Sequence, residues 1–181
     1  MQATPTALPG CLLLQPRVLQ DDRGSFVKPF TAQDFGALGL ATQFAEQYYS
    51  HSRRGVVRGM HFQRPPAQHA KLVYCVHGAV FDVVLDLRAG SPAYGQAASF
   101  TLSAEEGNAL YIPAGMAHGF CATSELATLV YNVTSAYAPE HDSGVRWDSI
   151  GVDWPVQAPL LSPRDLTFAA LADFDSPFAY E

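Results

Sequence analysis

The chain alternates between short apolar stretches and turns built from glycine, proline, aspartate and serine. Strand candidates are Cys11–Leu19, Ser25–Phe30, Thr42–Ser52, Val56–Gln63, Lys71–His77, Ala79–Leu87, Gln96–Leu102, Ala109–Ile112, Gly119–Ala122 and Ala127–Thr134. Turn signals such as Asp21-Asp22-Arg23-Gly24, Arg53-Arg54-Gly55 and Gly90-Ser91-Pro92 separate them. Ala79–Leu87 keeps a period of two: Phe81, Val83, Leu85 and Leu87 share one face, and Val80, Asp82, Val84 and Asp86 share the other. A carboxylate on an inward face needs a buried partner. Thr31–Phe35 reads as a short capped helix with Gly39 as its stop. Pro65-Pro66 makes 64–69 a loop. Ala138–Gly144 and the chain from Trp147 onward read as mostly loop, with a helical turn over Asp165–Ala170. This pattern predicts a mainly-β, antiparallel fold with a few short helices, a jelly-roll barrel in preference to an open sandwich. An immunoglobulin-like sandwich is disfavoured, because its paired cysteines and core tryptophan are missing.

At 181 residues the chain is expected to form one domain, 1–181, with its core over about 11–173. The net charge of −6 argues against nonspecific nucleic-acid binding. Cys11, Cys75 and Cys121 are odd in number and form no CxxC, which fits reduced thiols. No apolar run approaches the ~20 residues that span a bilayer. The start, MQATPTALPG, lacks the basic region of a signal peptide. A cytoplasmic protein without a membrane partner is expected.

Two blocks carry the candidate chemistry. Arg58–Asp86 sets His61 and Lys71 among apolar strand residues, and Gly107–Phe120 adds His118 beside a Pro-x-Gly turn. Gly107-x5-Pro113-x-Gly115-x2-His118 resembles the second motif of the cupin superfamily. The first cupin motif is only partly present. His69 lies near its position, but the His-x-His pair and the glutamate that follows are missing, and Lys71 would repel a cation. No metal and no cofactor are expected.

The likeness narrows on a set of motifs in fixed order. They are Arg23-Gly24-x-Phe26, Gly55-Val-x-Arg58-Gly59-x-His61-x-Gln63, Lys71-Leu72-Val73, Phe81-Asp82-Val83-x-x-Asp86-Leu87-Arg88 and Ile112-Pro113-x-Gly115-x-Ala117-His118-Gly119-Phe120. Tyr137-Ala138-Pro139-Glu140-His141, Trp147-Asp148 and Leu161-Ser162-x-x-Asp165 complete the set. With these the chain resembles the dTDP-4-dehydrorhamnose 3,5-epimerases from about Cys11 to Asp173. The resemblance implies inversion of carbons beside a ketone on a nucleotide-linked 4-keto-6-deoxysugar, by way of an enolate. Such a reaction needs a base, an acid on the opposite face and a positive group by the carbonyl oxygen. By resemblance, His61 is the base, Asp165 its partner, Lys71 the oxyanion group and Tyr131 the acid. His118 is a second site histidine with Asp82 as its partner. Arg58, Arg23 and Arg164 would hold the diphosphate. Phe26, Lys28, Gln47, Gln63 and Tyr137 would complete the substrate site. The base-binding end departs from the family. Lys28 stands where a glutamate is usual and is a donor only, which suits cytosine better than thymine. Glu46-Gln47-Tyr48 stands where the family typically shows Gln-Asp/Glu-Asn, with Tyr48 a bulky residue at the last position, and Asn132 follows Tyr131 where lysine is common. A CDP- or GDP-linked sugar is therefore an alternative to dTDP. A keto-sugar isomerase, a non-catalytic sugar-nucleotide binder and a metal-dependent oxygenase are the other readings. Arg58 and His61 have opposite strand parity, so both can face one site only through a bulge, which Gly59 permits. The family's usual homodimer, in which the N-terminal strands complete a neighbour's site, implies that Arg23, Phe26 and Lys28 act in trans. Its usual setting is bacterial cell-surface glycan synthesis.

Overall fold

The computed structural model describes residues 1–180. Its elements are β1 (Gln2–Pro5), β2 (Leu12–Gln15), β3 (Val18–Asp21), β4 (Gly24–Val27), α1 (Ala32–Ala37), β5 (Glu46–Arg53), β6 (Val57–Gln63) and β7 (Lys71–His77). There follow β8 (Ala79–Asp86), β9 (Ala97–Ser103), β10 (Ala109–Ile112), β11 (Met116–Ala122), β12 (Leu126–Val133) and β13 (Asp142–Gly144). One antiparallel sheet runs β1-β2-β10-β7-β12-β5 and a second runs β13-β6-β11-β8-β9, while β3 and β4 pair only with each other. The mainly-β antiparallel expectation holds. The barrel, however, is open: among the described residues no strand joins the ladder of one large sheet to that of the other.

Three apolar layers hold the two sheets. Between them lie Val73, Val84, Leu110, Phe120 and Leu129. Behind the five-stranded sheet, Met60, Val83, Leu85 and Ala117 pack under Val145, Ile150 and Phe178. Behind the six-stranded sheet, Leu14, Leu72 and Ala109 pack under Phe35 of α1. Each fully buried leucine or phenylalanine stabilises by about 1.5–3 kcal/mol, so these layers fix the long loops as well as the strands. β8 is largely buried on both faces, with Asp82 and Asp86 beside Val80 and Val84 on one of them, because it separates two of these layers.

Several boundaries differ from the sequence reading. Cys11–Leu19 divides at Pro16, which has no N–H for a ladder, and β3 leaves the sheet to pair with β4. β1 and β13 sit in segments with no apolar period and exist through their partners, Leu12–Gln15 and His61–Gln63. β11 begins at Met116, not Gly119. The capped helix is present, with Thr31 Oγ1 accepting from the Asp34 N–H at 3.1 Å. The turn after Asp165 is a short 3-10 segment, Asp165–Thr167.

The bulge that the site requires is in β6. His61 opposes His118 and Arg58 opposes Phe120, so Gly59 and Met60 together face Gly119. That extra residue reverses the parity and turns Arg58 and His61 to the same side. Gly59 has φ +143°, and a Cβ there would lie 2.5 Å from the Gly119 Cα.

Candidate active site

Two adjoining cavities open between the sheets. The inner one, about 220 Å³, is lined by His61, Lys71, His118, Tyr131, Arg58 and Ser50, with Tyr48 and Phe120. The outer one, about 310 Å³, takes in Glu46, Gln63, His69, Tyr137, Asp142 and Arg164. Tyr48, His61 and Lys71 line both.

β6 presents His61 from the five-stranded sheet. Its Nε2 lies 2.8 Å from Asp165 Oδ1, and the other carboxylate oxygen accepts from the Gly59 N–H at 3.3 Å. Burial pushes Asp165 up, but the hydrogen bonds from His61, from around Ser162 and from Gly59 outweigh it and hold the carboxyl below its usual range. An ionised carboxylate only accepts, so Nε2 carries the ring proton and Nδ1 keeps a free lone pair. Burial lowers the imidazole pKa, against the raising effect of Asp165 and with help from the positive charges of Arg164 and Lys71. The ring is therefore neutral at neutral pH. Phe168 packs edge-on against it, with centroids 5.8 Å apart.

β7 places Lys71 at the inner end of the six-stranded sheet, where its Nζ donates to the His61 carbonyl at 3.1 Å. Burial depresses its pKa to about 8, and the negative charges of Asp142 and Asp82 oppose that fall. The ammonium form still predominates at pH 7. Tyr131, on β12, shares a 3.3 Å hydrogen bond with Ser50 Oγ. Burial pushes its phenol well above the ordinary range, so it stays protonated. Its ring stacks on Tyr48, with centroids 4.9 Å and planes 20° apart.

His118 Nε2 meets Asp82 Oδ2 at 2.8 Å, with both side chains buried. Asp82 thus has the partner that its inward face required. Burial raises its pKa, opposed by His118 and Lys71. Its Oδ1 is buried and without a hydrogen-bond partner among the described residues. Arg58 lines the inner cavity and donates to Ser52 Oγ at 3.1 Å and to the His51 carbonyl at 3.3 Å.

In the outer cavity, Arg164 pairs with Asp142, which also accepts from the Tyr137 hydroxyl at 3.2 Å. Gln63 is occupied by backbone: its amide donates to Ala67 O (2.9 Å) and Ala136 O (3.2 Å), and its oxygen accepts from the Ala138 N–H (2.6 Å). It holds the segment that bears Tyr137. His69 donates or accepts with Ser135 at 3.1 Å, and burial and Lys71 depress it to about 3. Among the described residues no group of three or more His, Cys, Asp or Glu could hold a metal ion.

Four expected site residues are not brought to these cavities within one chain. Gln47 follows Glu46 and precedes Tyr48, both cavity residues, so strand alternation turns it to the other face, where it donates to Asn132 Oδ1 at 2.7 Å. Arg23, Phe26 and Lys28 stand on the β3–β4 hairpin. There Arg23 pairs with Asp21, and Lys28 Nζ lies 5.8 Å from the centre of the Phe26 ring. Ser50, Asp142 and Phe168 were not singled out from the sequence. Ser50 could have been found by alternation from Tyr48; Asp142 and Phe168 lie in aperiodic segments that carry no such signal.

A neutral histidine, a lysine and a protonated phenol line one cavity in an open antiparallel jelly-roll of cupin type, an arrangement suited to an enzyme of proton transfer. The chain belongs to the dTDP-4-dehydrorhamnose 3,5-epimerase family, whose profile matches residues 5–173. It is accordingly an isomerase of the carbohydrate-epimerase class. A dTDP-4-dehydrorhamnose 3,5-epimerase of Pseudomonas aeruginosa is 45% identical, over 97% of this chain and 98% of its own. A dTDP-4-dehydrorhamnose 3-epimerase of Streptomyces niveus is 42% identical over 96% of this chain and 85% of its own. A Legionella pneumophila dTDP-6-deoxy-D-glucose-3,5-epimerase, solved in complex with dTDP-4-keto-L-rhamnose, superposes with a TM-score of 0.94. It is 33% identical, over 99% of this chain and 98% of that one.

Proposed function

We propose that this protein inverts C3 and C5 of dTDP-4-dehydro-6-deoxyglucose to give dTDP-4-dehydrorhamnose, with His61 as base and Tyr131 as acid. The observation that carries this reading is the placement of His61 and Tyr131 on opposite sheets, facing one cavity, with Lys71 lining the same space. His61 Nδ1 takes the proton from the carbon beside the C4 ketone, and the C–H electron pair moves onto O4. Asp165 stabilises the imidazolium through Nε2. Lys71 supplies a positive charge to the enolate oxygen in a site shielded from water. Tyr131 then gives its hydroxyl proton to the opposite face of the same carbon, which leaves that centre inverted. The two protonation states of His61 and Tyr131 are restored from solvent before the second carbon reacts.

His118, held by Asp82, supplies a further polar wall to the sugar. Arg58 and Arg164 bind the diphosphate, for which Arg164 exchanges its partner Asp142 for phosphate oxygens. Tyr137 closes over the outer cavity. The protein works as a cytoplasmic homodimer in which Arg23, Phe26 and Lys28 of the hairpin reach a neighbour's site. Two features support the exchange of hairpins: the hairpin belongs to neither large sheet, and it exposes Leu19 and Phe26.

Solvent deuterium tests the chemistry. Incubation with dTDP-4-dehydro-6-deoxyglucose in D2O is expected to label C3 and C5, and His61→Ala to abolish both labels. Label at C3 alone would narrow the reaction to a 3-epimerase. No label with the dTDP sugar, but label with its CDP- or GDP-linked counterpart, would reassign the nucleotide.

A further inference from the structure

Tyr48 lies on β5 directly across from Tyr131 on β12, and the two rings stack face to face. His118 meets Tyr131 in a T-shaped arrangement as well, with centroids 6.0 Å apart. Apart from these rings, the Tyr131 hydroxyl has one long hydrogen bond among the described residues, to Ser50. The position of its phenolic oxygen is therefore set more by ring packing than by hydrogen bonding. Tyr48 also lines both cavities, as His61 and Lys71 do, which puts its ring at the neck where the sugar must lie. Its phenol, half-exposed and raised to about 12 by partial burial and by the charges of Glu46 and Asp142, carries no negative charge there at neutral pH.

We propose that Tyr48 is a positioning residue for the proton-donating phenol of Tyr131, and so governs how often an enolate is inverted and how often it merely exchanges its proton. The inference rests on the reading of Tyr131 as the acid. An enolate formed by His61 has two fates. Tyr131 can protonate the opposite face, giving inversion. Otherwise the His61 imidazolium, once its proton has exchanged with solvent, can return a deuteron to the original face. The second path needs nothing from Tyr131. A displacement of a reacting group by about 1 Å costs on the order of 10²-fold in rate, so a loosened phenol shifts the balance toward exchange without inversion.

The test is the ratio of label in recovered starting isomer to label in inverted product, measured in D2O with dTDP-4-dehydro-6-deoxyglucose. Tyr48→Ala is expected to raise that ratio about tenfold, a part of the ~10²-fold that misplacement can cost. Tyr48→Phe keeps the stack and is expected to retain the wild-type ratio. Tyr48→Leu fills the space without stacking and is expected to follow the alanine variant. A merely structural role would lower exchange and inversion together. An unchanged ratio in both Tyr48→Ala and Tyr48→Leu, with label still entering the wild type, overturns this inference alone. A wild type that takes up no label from any of the three nucleotide-linked sugars defeats the functional reading and takes the inference with it.

Discussion

Burial tunes the base and the oxyanion group in the same direction, and the two consequences for pH are opposite in sign. His61 acts in its neutral form. Its pKa is lowered, so activity is retained as pH falls through the ordinary imidazole range of about 6.5 and is lost only below it. Asp165 opposes that lowering. Asp165→Asn should therefore move the acid limb of kcat/KM lower still and reduce kcat by roughly 10²-fold or more, through loss of the tautomer and of imidazolium stabilisation. A rise of the acid limb in that variant would contradict the pairing. Lys71 acts as a cation, so the alkaline limb should fall near its pKa of about 8. Its stability effect runs the other way. Between about 8 and the ordinary 10.5, the unfolded chain binds more protons than the folded one, so wild-type stability rises with pH across that window. Below it the full cost of burying the charge is present. Lys71→Met should thus lose about 10²-fold in kcat yet gain on the order of 2 kcal/mol at pH 7, read as a higher urea midpoint. A lower midpoint would mean that Asp82 and Asp142 compensate the charge fully.

At the scale of elements, the site depends on one irregular strand. The β6 bulge brings Arg58 and His61 to one side, and Gly59 is the residue that allows it, since a side chain there would meet the Gly119 backbone in a conformation L-residues rarely adopt. Gly59→Ala should cost about 2–4 kcal/mol in stability and, in whatever folds, reduce kcat together with diphosphate affinity, because both side chains are re-aimed. Urea unfolding and KM for the dTDP sugar would show it; normal affinity with lowered kcat would mean that Arg58 keeps its place. The need for this bulge was legible in the chain, since the parity of Arg58 and His61 conflicts and a glycine lies between them. So was the inward carboxylate of Asp82, from the period of two in Ala79–Leu87. The open edges of the two sheets were not, because closure depends on strand stagger and on loops that no local pattern encodes. Asp142 was not legible either. Its strand is a short polar segment that exists only through pairing with His61–Gln63. Gln47 shows the limit of motif matching: it was expected in the substrate site, yet alternation along β5 turns it out of the cavity and onto Asn132.

At the scale of the whole molecule, one chain leaves its hairpin unused. Leu19 and Phe26 face each other across β3 and β4, are 47% and 56% exposed, and line neither of the two cavities. Arg23, also exposed, spends its guanidinium on Asp21 of the same turn. Apolar side chains presented on a detached two-stranded ribbon cost solvation free energy unless another surface covers them. The proposed twofold homodimer, exchanging hairpins, would cover both at once and carry three expected substrate contacts to a second site. The exchange predicts complementation between defective chains. His61→Ala lacks the base but keeps its hairpin, and an Arg23→Ala, Phe26→Ala double variant keeps the base but lacks hairpin contacts. Refolded together in equal amounts, half of the dimers are mixed. Each mixed dimer then holds one site with an intact base and an intact neighbouring hairpin, so activity should recover to about a quarter of wild type. If the hairpin instead served its own chain, no site in any mixed dimer would hold both parts. Activity would then stay at the average of the two defective proteins, and the exchange of hairpins would be excluded.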